Sequence, residues 1–225
     1  AMEWGITRQL EAVYRHLPGE VAAAGILSSV TSGDALDIKV AAGLLSRVAR
    51  PDAEAFQVVN EDLRLGIRTY LKNSVDVVLY QNDFSGEEKA NLASAIAQVG
   101  QPEDMVDLVR LIRADIERVR RGRAARLAGD RGPLGNGGTM SYAGWHISAV
   151  MHLREGASEQ VLIELLPEPE YCSEAAAAMA RDFLPSSVGS FNRALRYDLI
   201  WAARKGEIAL PGSDQRRAQF SAALN

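Results

Sequence analysis

The fold is indicated most clearly by the stretch QPEDMVDLVRLIRADIERVRRGRAAR, residues 101–126. Its apolar residues recur at steps of three and four, which places them on one face of a helix. They are Met105, Leu108, Val109, Ile112, Ile116 and Val119. Pro102 and two acidic residues stand directly before them, and such residues suit the first turn of a helix. The stretch therefore predicts an amphipathic helix whose apolar stripe ends near Val119.

The same helical spacing returns along most of the chain. Comparable apolar faces occur in the segments 38–48, 63–71, 92–99, 142–153, 175–183 and 191–202. Glycine and proline fall between these segments, and alternating β-branched residues are rare. We therefore predict an all-α fold with about ten helices, in which short connections make neighbouring helices pack antiparallel.

Three stretches of the chain resemble one another in their order of features. VAAGLLSRVARPDAEAFQVV, residues 40–59, aligns with NLASAIAQVGQPEDMVDLVR, residues 91–110, and more loosely with HISAVMHLREGASEQVLIELL, residues 146–166. Each has a helix with small residues on one face, a tight break, an acidic helix start and a second apolar helix. Such a pattern indicates an internal repeat built from helix pairs.

The stretches ANLASAIAQVGQPEDMVDLVRLI, residues 90–112, and EQVLIELLPEPEYCSEAAAAMARDFL, residues 159–184, resemble the HEAT-repeat family and its HEAT-like relatives. The resemblance extends over residues 34–184. It implies a right-handed solenoid of antiparallel helix pairs, with residues 1–225 forming a single helical-repeat domain that offers a protein-binding surface. The spacing of about 51 to 55 residues exceeds the 40 to 47 usual for such repeats, so an irregular helical bundle is the alternative.

Positive charge is concentrated in one segment of an acidic chain. The net charge is −4, yet residues 110–131 hold eight arginines and three acidic residues, which leaves −9 for the remainder. We predict a docking patch for an acidic protein partner, or for nucleic-acid phosphates, on this segment. Its candidate binding residues are Arg110, Arg113, Arg118, Arg120, Arg121, Arg123 and Arg126. The alternative is a solvated helix with Arg113–Glu117 and Glu117–Arg121 ion pairs.

No sequence motif predicts catalysis, a metal or a cofactor. The stretch GDRGPLGNGG, residues 129–138, lacks the order of a phosphate-binding loop, and we interpret residues 129–140 as a flexible connector. His16, His146 and His152 are interpreted as packing or surface residues, because no metal-ligand spacing joins them. Cys172 is interpreted as a packing residue, and the tryptophans as core anchors or groove aromatics.

These observations favour a non-catalytic scaffold or adaptor that docks an acidic partner. One alternative is a nucleic-acid-binding protein, because the alkylpurine DNA glycosylases are HEAT-like and of similar length. The other is a regulatory domain of a longer chain, because Ala1 precedes Met2 and the last residues are polar. The lack of an apolar run of about 18 residues and the single cysteine predict a cytoplasmic protein without a membrane partner. The excess of arginine over lysine suggests a bacterial source.

Overall fold

The structure is a computed structural model that describes residues 9–10, 12–13, 16–29, 35–48, 61–81, 84–129, 141–153 and 157–182. The α-helices of these residues are α1 (Gly19–Ser29), α2 (Ala35–Val48), α3 (Glu61–Tyr80), α4 (Gly86–Val99), α5 (Met105–Leu127), α6 (Ala143–His152), α7 (Ala157–Leu165) and α8 (Cys172–Asp182). The described residues contain no β-strand, which confirms the all-α prediction. They contain eight helices where the sequence predicts about ten. The segments 49–60 and 183–225 lie outside the described residues.

The chain divides into two compact units, residues 1–115 and 116–225, and the boundary falls inside α5. In the first unit α4 packs against α2 and α3, and α1 packs against the same two helices. The small and branched residues of the aligned stretches form this core. Ala42 and Leu45 of α2 are buried, as are Ala93 and Ile96 of α4.

Local sequence signals define the start of α4 and the break that follows it. Ser85 is the N-cap: its hydroxyl accepts a hydrogen bond from the Glu88 amide at 3.2 Å, and Glu88 Oε2 accepts one from the Ser85 amide at 2.6 Å. This capping box pairs two of the amides that a helix start leaves without intrahelical partners. The helix ends at Val99 with Gly100 as its C-cap, and a short 3₁₀ turn, Pro102–Asp104, leads into α5.

The carboxylate of Asp104 connects α3 to the beginning of α5. It is buried and accepts hydrogen bonds from Arg68 Nε at 2.6 Å, Lys72 Nζ at 2.6 Å and the Gln101 amide at 2.9 Å. Burial alone would raise its pKa, but these three donors outweigh burial and lower the pKa to about 2. An acidic residue that the sequence placed at a helix start thus also binds a neighbouring helix.

In the second unit α6, α7 and α8 all contact one another. His146 of α6 lies in this core, with Nδ1 at 2.6 Å from the hydroxyl of Tyr171 and the two rings nearly parallel. Both side chains are fully buried. The prediction left packing and surface roles open for the three histidines; His146 is a packing residue, and His16 and His152 are surface residues.

The last turn of α5 extends past the buried part of the helix. Val119 and Gly122 are its final buried residues, and none of residues 123–129 is buried. This agrees with the predicted end of the apolar stripe. Gly129 follows with a φ of 83°, a left-handed conformation that suits glycine after a helix end. The first glycine of the glycine-rich stretch therefore terminates α5, and the predicted connector beyond it lies outside the described residues.

Candidate functional site

The seven candidate arginines all lie on α5, but their surroundings differ. Arg110 and Arg118 are half-buried, and the other five are exposed. The helix continues for two turns beyond its apolar stripe because arginine and alanine are good helix formers. Arg126 in its last turn also suits the negative end of the helix dipole.

Arg110 is held inside the first unit. Its guanidinium donates to the carboxylates of Asp76 and Asp107, the latter at 3.2 Å. The hydrogen bond to Asp76 is the main reason that the pKa of Arg110 is raised above its ordinary value. This arginine is engaged by neighbouring acidic residues and contributes little free charge to a partner.

Two other arginines hold an acidic segment of the same chain. Arg120 forms an ion pair with Glu168, and Arg123 Nη1 lies 2.6 Å from Glu170 Oε1. The two glutamates belong to the turn that connects α7 to α8. The side chain of Glu170 is only 2% exposed, whereas that of Arg123 is 53% exposed. The second carboxylate oxygen of Glu170 is buried and has no hydrogen-bond partner in the described part of the chain.

Arg118 faces an aromatic pair. Its guanidinium carbon lies 5.6 Å from the centre of the Tyr142 ring, within the range of a cation–π contact. Tyr142 in turn makes an edge contact with Trp145, with ring centres 6.2 Å apart and planes at 74°. The arginine-rich helix is therefore joined to the exposed side of α6.

Three arginines remain exposed without an ion-pair partner among the described residues: Arg113, Arg121 and Arg126. Glu117 is exposed between the first two, and the spacing of four residues puts Arg113, Glu117 and Arg121 on one side of the helix. The Arg113–Glu117 and Glu117–Arg121 ion pairs of the alternative prediction are wrong, because in neither pair do a nitrogen and an oxygen come within 4.0 Å of each other. Arg126 lies on another side of the helix, in the last turn.

No group of three or more His, Cys, Asp or Glu side chains among the described residues is placed to hold a metal ion. Cys172 is half-buried at the first position of α8, with its sulfur 3.6 Å from the Pro169 carbonyl. Within the described helices, none combines the length and the apolar character needed to cross a bilayer.

The apolar spacing places Trp145 on the wrong side of α6. It predicts one face containing Tyr142, Trp145, Ala149 and Leu153, but Trp145 is 45% exposed. The buried side of the helix instead includes His146 and Val150. The predicted face leaves out His146, which is buried against the hydroxyl of Tyr171, a residue 25 positions away in sequence.

The geometry defines an all-helical protein with an arginine-rich surface helix. Comparison of the chain with protein-family models, with curated proteins and with solved structures gave no match.

Proposed function

We propose that this protein is a non-catalytic scaffold that docks an acidic protein segment on the exposed arginines of α5. The observation that carries the proposal is the set Arg113, Arg121 and Arg126, three exposed cations without ion-pair partners among the described residues. Each of these exposed guanidinium groups can form a charge-assisted hydrogen bond with a carboxylate of a partner. The overall acidity of the chain favours a protein partner over nucleic acid, whose phosphates select basic proteins.

The contacts within the second unit support an acidic segment as the occupant. The turn that contains Glu168 and Glu170 already pairs with Arg120 and Arg123 of the same helix. A turn whose carboxylates are two residues apart therefore pairs with arginines three residues apart on this helix. The unpaired arginines offer the same chemistry to a segment from another molecule.

We further propose that the aligned stretches stack as HEAT-like repeats and so provide a scaffold. The packing of α2 against α4 supports this, since these are the first helices of two aligned copies. Their equivalent residues, Ala42 with Ala93 and Leu45 with Ile96, are all buried. Repeats of this kind bury faces that a single helix pair leaves open.

The proposal is tested by fluorescence anisotropy with a short labelled peptide that alternates glutamate with proline, as residues 168–170 do. We expect saturable binding at low ionic strength that weakens as salt is added. Reversing the charge of Arg113, Arg121 and Arg126 together should weaken binding at least about tenfold. These three are preferred to Arg120 and Arg123, whose replacement would also break contacts to Glu168 and Glu170.

Two further variants test the direction of the change in peptide affinity as well as its size. Glu117→Gln removes the acidic residue between Arg113 and Arg121 and should strengthen peptide binding. Arg64→Glu, a single charge reversal on α3, should leave binding close to that of the wild type. Absence of peptide binding at low salt contradicts the proposal, as does equal binding by the triple variant. Stronger binding of duplex DNA through the same arginines would replace the acidic partner with nucleic acid.

A further inference from the structure

The exposed side of α6 carries one large aromatic residue on otherwise small neighbours. Trp145 is 45% exposed, and Gly144 and Ser148 beside it are exposed as well. A Cβ atom added at Gly144 would meet nothing within 4 Å apart from its chain neighbours, so the helix surface at Gly144 is open. Trp145 is therefore nearly half accessible to solvent, on a helix surface that has little side-chain bulk.

This aromatic residue is continuous with the arginines of α5. Trp145 contacts the ring of Tyr142, and Arg118 lies over that same ring. Arg121 is exposed one helical turn after Arg118, and residues at this spacing are neighbours on a helix surface. Arg121, Arg118, Tyr142 and Trp145 thus form one patch, which we call the arginine–aromatic patch.

The composition of the patch is that of a binding centre. Tryptophan, tyrosine and arginine are the residues that most often dominate the binding energy of protein interfaces. An indole that is nearly half exposed has apolar area still to bury, and burial of that area stabilises a complex. A purely acidic segment would use the arginine of the patch and leave the indole in water.

We propose that Trp145 is the apolar anchor of the docking surface, and that the partner segment combines carboxylates with a large apolar side chain. The carboxylates bind Arg121, and the apolar side chain packs on the indole above Gly144 and Ser148. This inference rests on the proposed function, since it specifies the partner of the same surface. It adds the requirement that the partner segment carry a large apolar side chain as well as negative charge.

Two fluorescent peptides of equal length and charge separate the two ideas. One alternates glutamate with leucine, and the other alternates glutamate with serine. We expect the glutamate–leucine peptide to bind the full-length chain at least about tenfold more tightly. Trp145→Ala should remove this advantage, Trp145→Phe should retain part of it, and Arg121→Glu should weaken both peptides.

Two substitutions of opposite charge at Ser148 give a second test that does not depend on replacing the tryptophan. Ser148→Glu should weaken binding of the glutamate–leucine peptide, and Ser148→Lys should strengthen it, because position 148 lies one turn from Trp145. Leu65→Ala is the control, since Leu65 is comparably exposed on α3 and should have no effect. Thermal unfolding of each variant confirms that it is folded.

The outcomes distinguish the inference from the function on which it rests. Equal affinity for the two peptides, or an unchanged preference in Trp145→Ala, overturns the apolar anchor while arginine-dependent binding keeps the scaffold. Failure of both peptides to bind overturns both. Trp145-dependent binding of oligothymidine that exceeds peptide binding assigns the patch to single-stranded nucleic acid, and Trp145-dependent self-association in sedimentation assigns it to a second copy of this chain.

Discussion

The two ends of α5 differ in how their charged side chains are surrounded. At the beginning, the buried Asp104 is surrounded by donors from Arg68, Lys72 and Gln101, and each of these contacts is 2.9 Å or shorter. At the other end, Arg121 and Arg126 are exposed and have no ion-pair partner among the described residues. The first cluster has its charges satisfied within the chain, and the second does not.

This contrast separates charges that hold the fold from charges that are available to a partner. Removing one member of a buried pair leaves the other without a counter-charge, which is strongly destabilising. Removing a solvated arginine changes stability little. Variants at the beginning of α5 should therefore lower the stability of the fold, which we call the stability class. Variants at its exposed end should lower the affinity for a partner, which we call the binding class.

The largest effect is expected at the buried end. Asp104→Asn leaves Lys72 without its carboxylate and Arg68 with only the exposed Glu103, and should lower the free energy of unfolding by about 3 kcal/mol, measured by urea denaturation. Glu103→Gln is the matched control, because Glu103 also pairs with Arg68 but is exposed. It should unfold close to the wild type, and equal losses in the two variants would contradict the distinction.

Acid should remove the same contribution in the wild type. The pKa of Asp104 falls from 3.8 to about 2 on folding, so its stabilisation is complete above about pH 5 and is lost as the pH falls toward 2. The difference in unfolding free energy between wild type and Asp104→Asn should therefore shrink over this range, by at most about 2 kcal/mol. A difference that stays constant down to pH 2 would be inconsistent with the depressed pKa.

A smaller effect should divide the arginines of the exposed end. Arg123→Gln leaves the buried carboxylate of Glu170 without its cation and should cost about 1 to 2 kcal/mol in urea denaturation. Arg121→Gln should cost less than about 0.5 kcal/mol while weakening binding of the glutamate–proline peptide. If both variants unfold alike, Arg123 belongs to the binding class instead.

The smallest effect concerns Gly129, which follows the end of α5 in a left-handed conformation. Gly129→Ala places a Cβ atom at a φ of 83° and should cost about 1 kcal/mol, although nothing lies within 4 Å to clash with it. Gly144→Ala, where the backbone is helical and the space equally open, should stabilise by about 0.5 kcal/mol. Thermal denaturation of the two variants isolates the effect of backbone conformation, because neither added Cβ atom meets a neighbour. A loss of stability in both variants would contradict this explanation.

Local pattern predicts the elements that depend on spacing alone. The apolar stripe of α5 and its end near Val119 follow from helical periodicity, and the acidic start at Glu103 and Asp104 follows from the helix dipole. The same periodicity fails at α6, where it puts the exposed Trp145 on the apolar face of the helix. His146 enters the core with its Nδ1 paired to the Tyr171 hydroxyl, and spacing contains no information about Tyr171.

The sequence by itself determined the helical class of this protein and the concentration of arginine on one helix, because both follow from the order of neighbouring residues. Only the tertiary structure decided which arginines are engaged. Arg110 meets Asp76, and Arg123 meets Glu170, across 34 and 47 residues of chain, and such encounters depend on how helices pack. Charge is a property of the residue, whereas its availability to a partner is set by what the fold brings beside it.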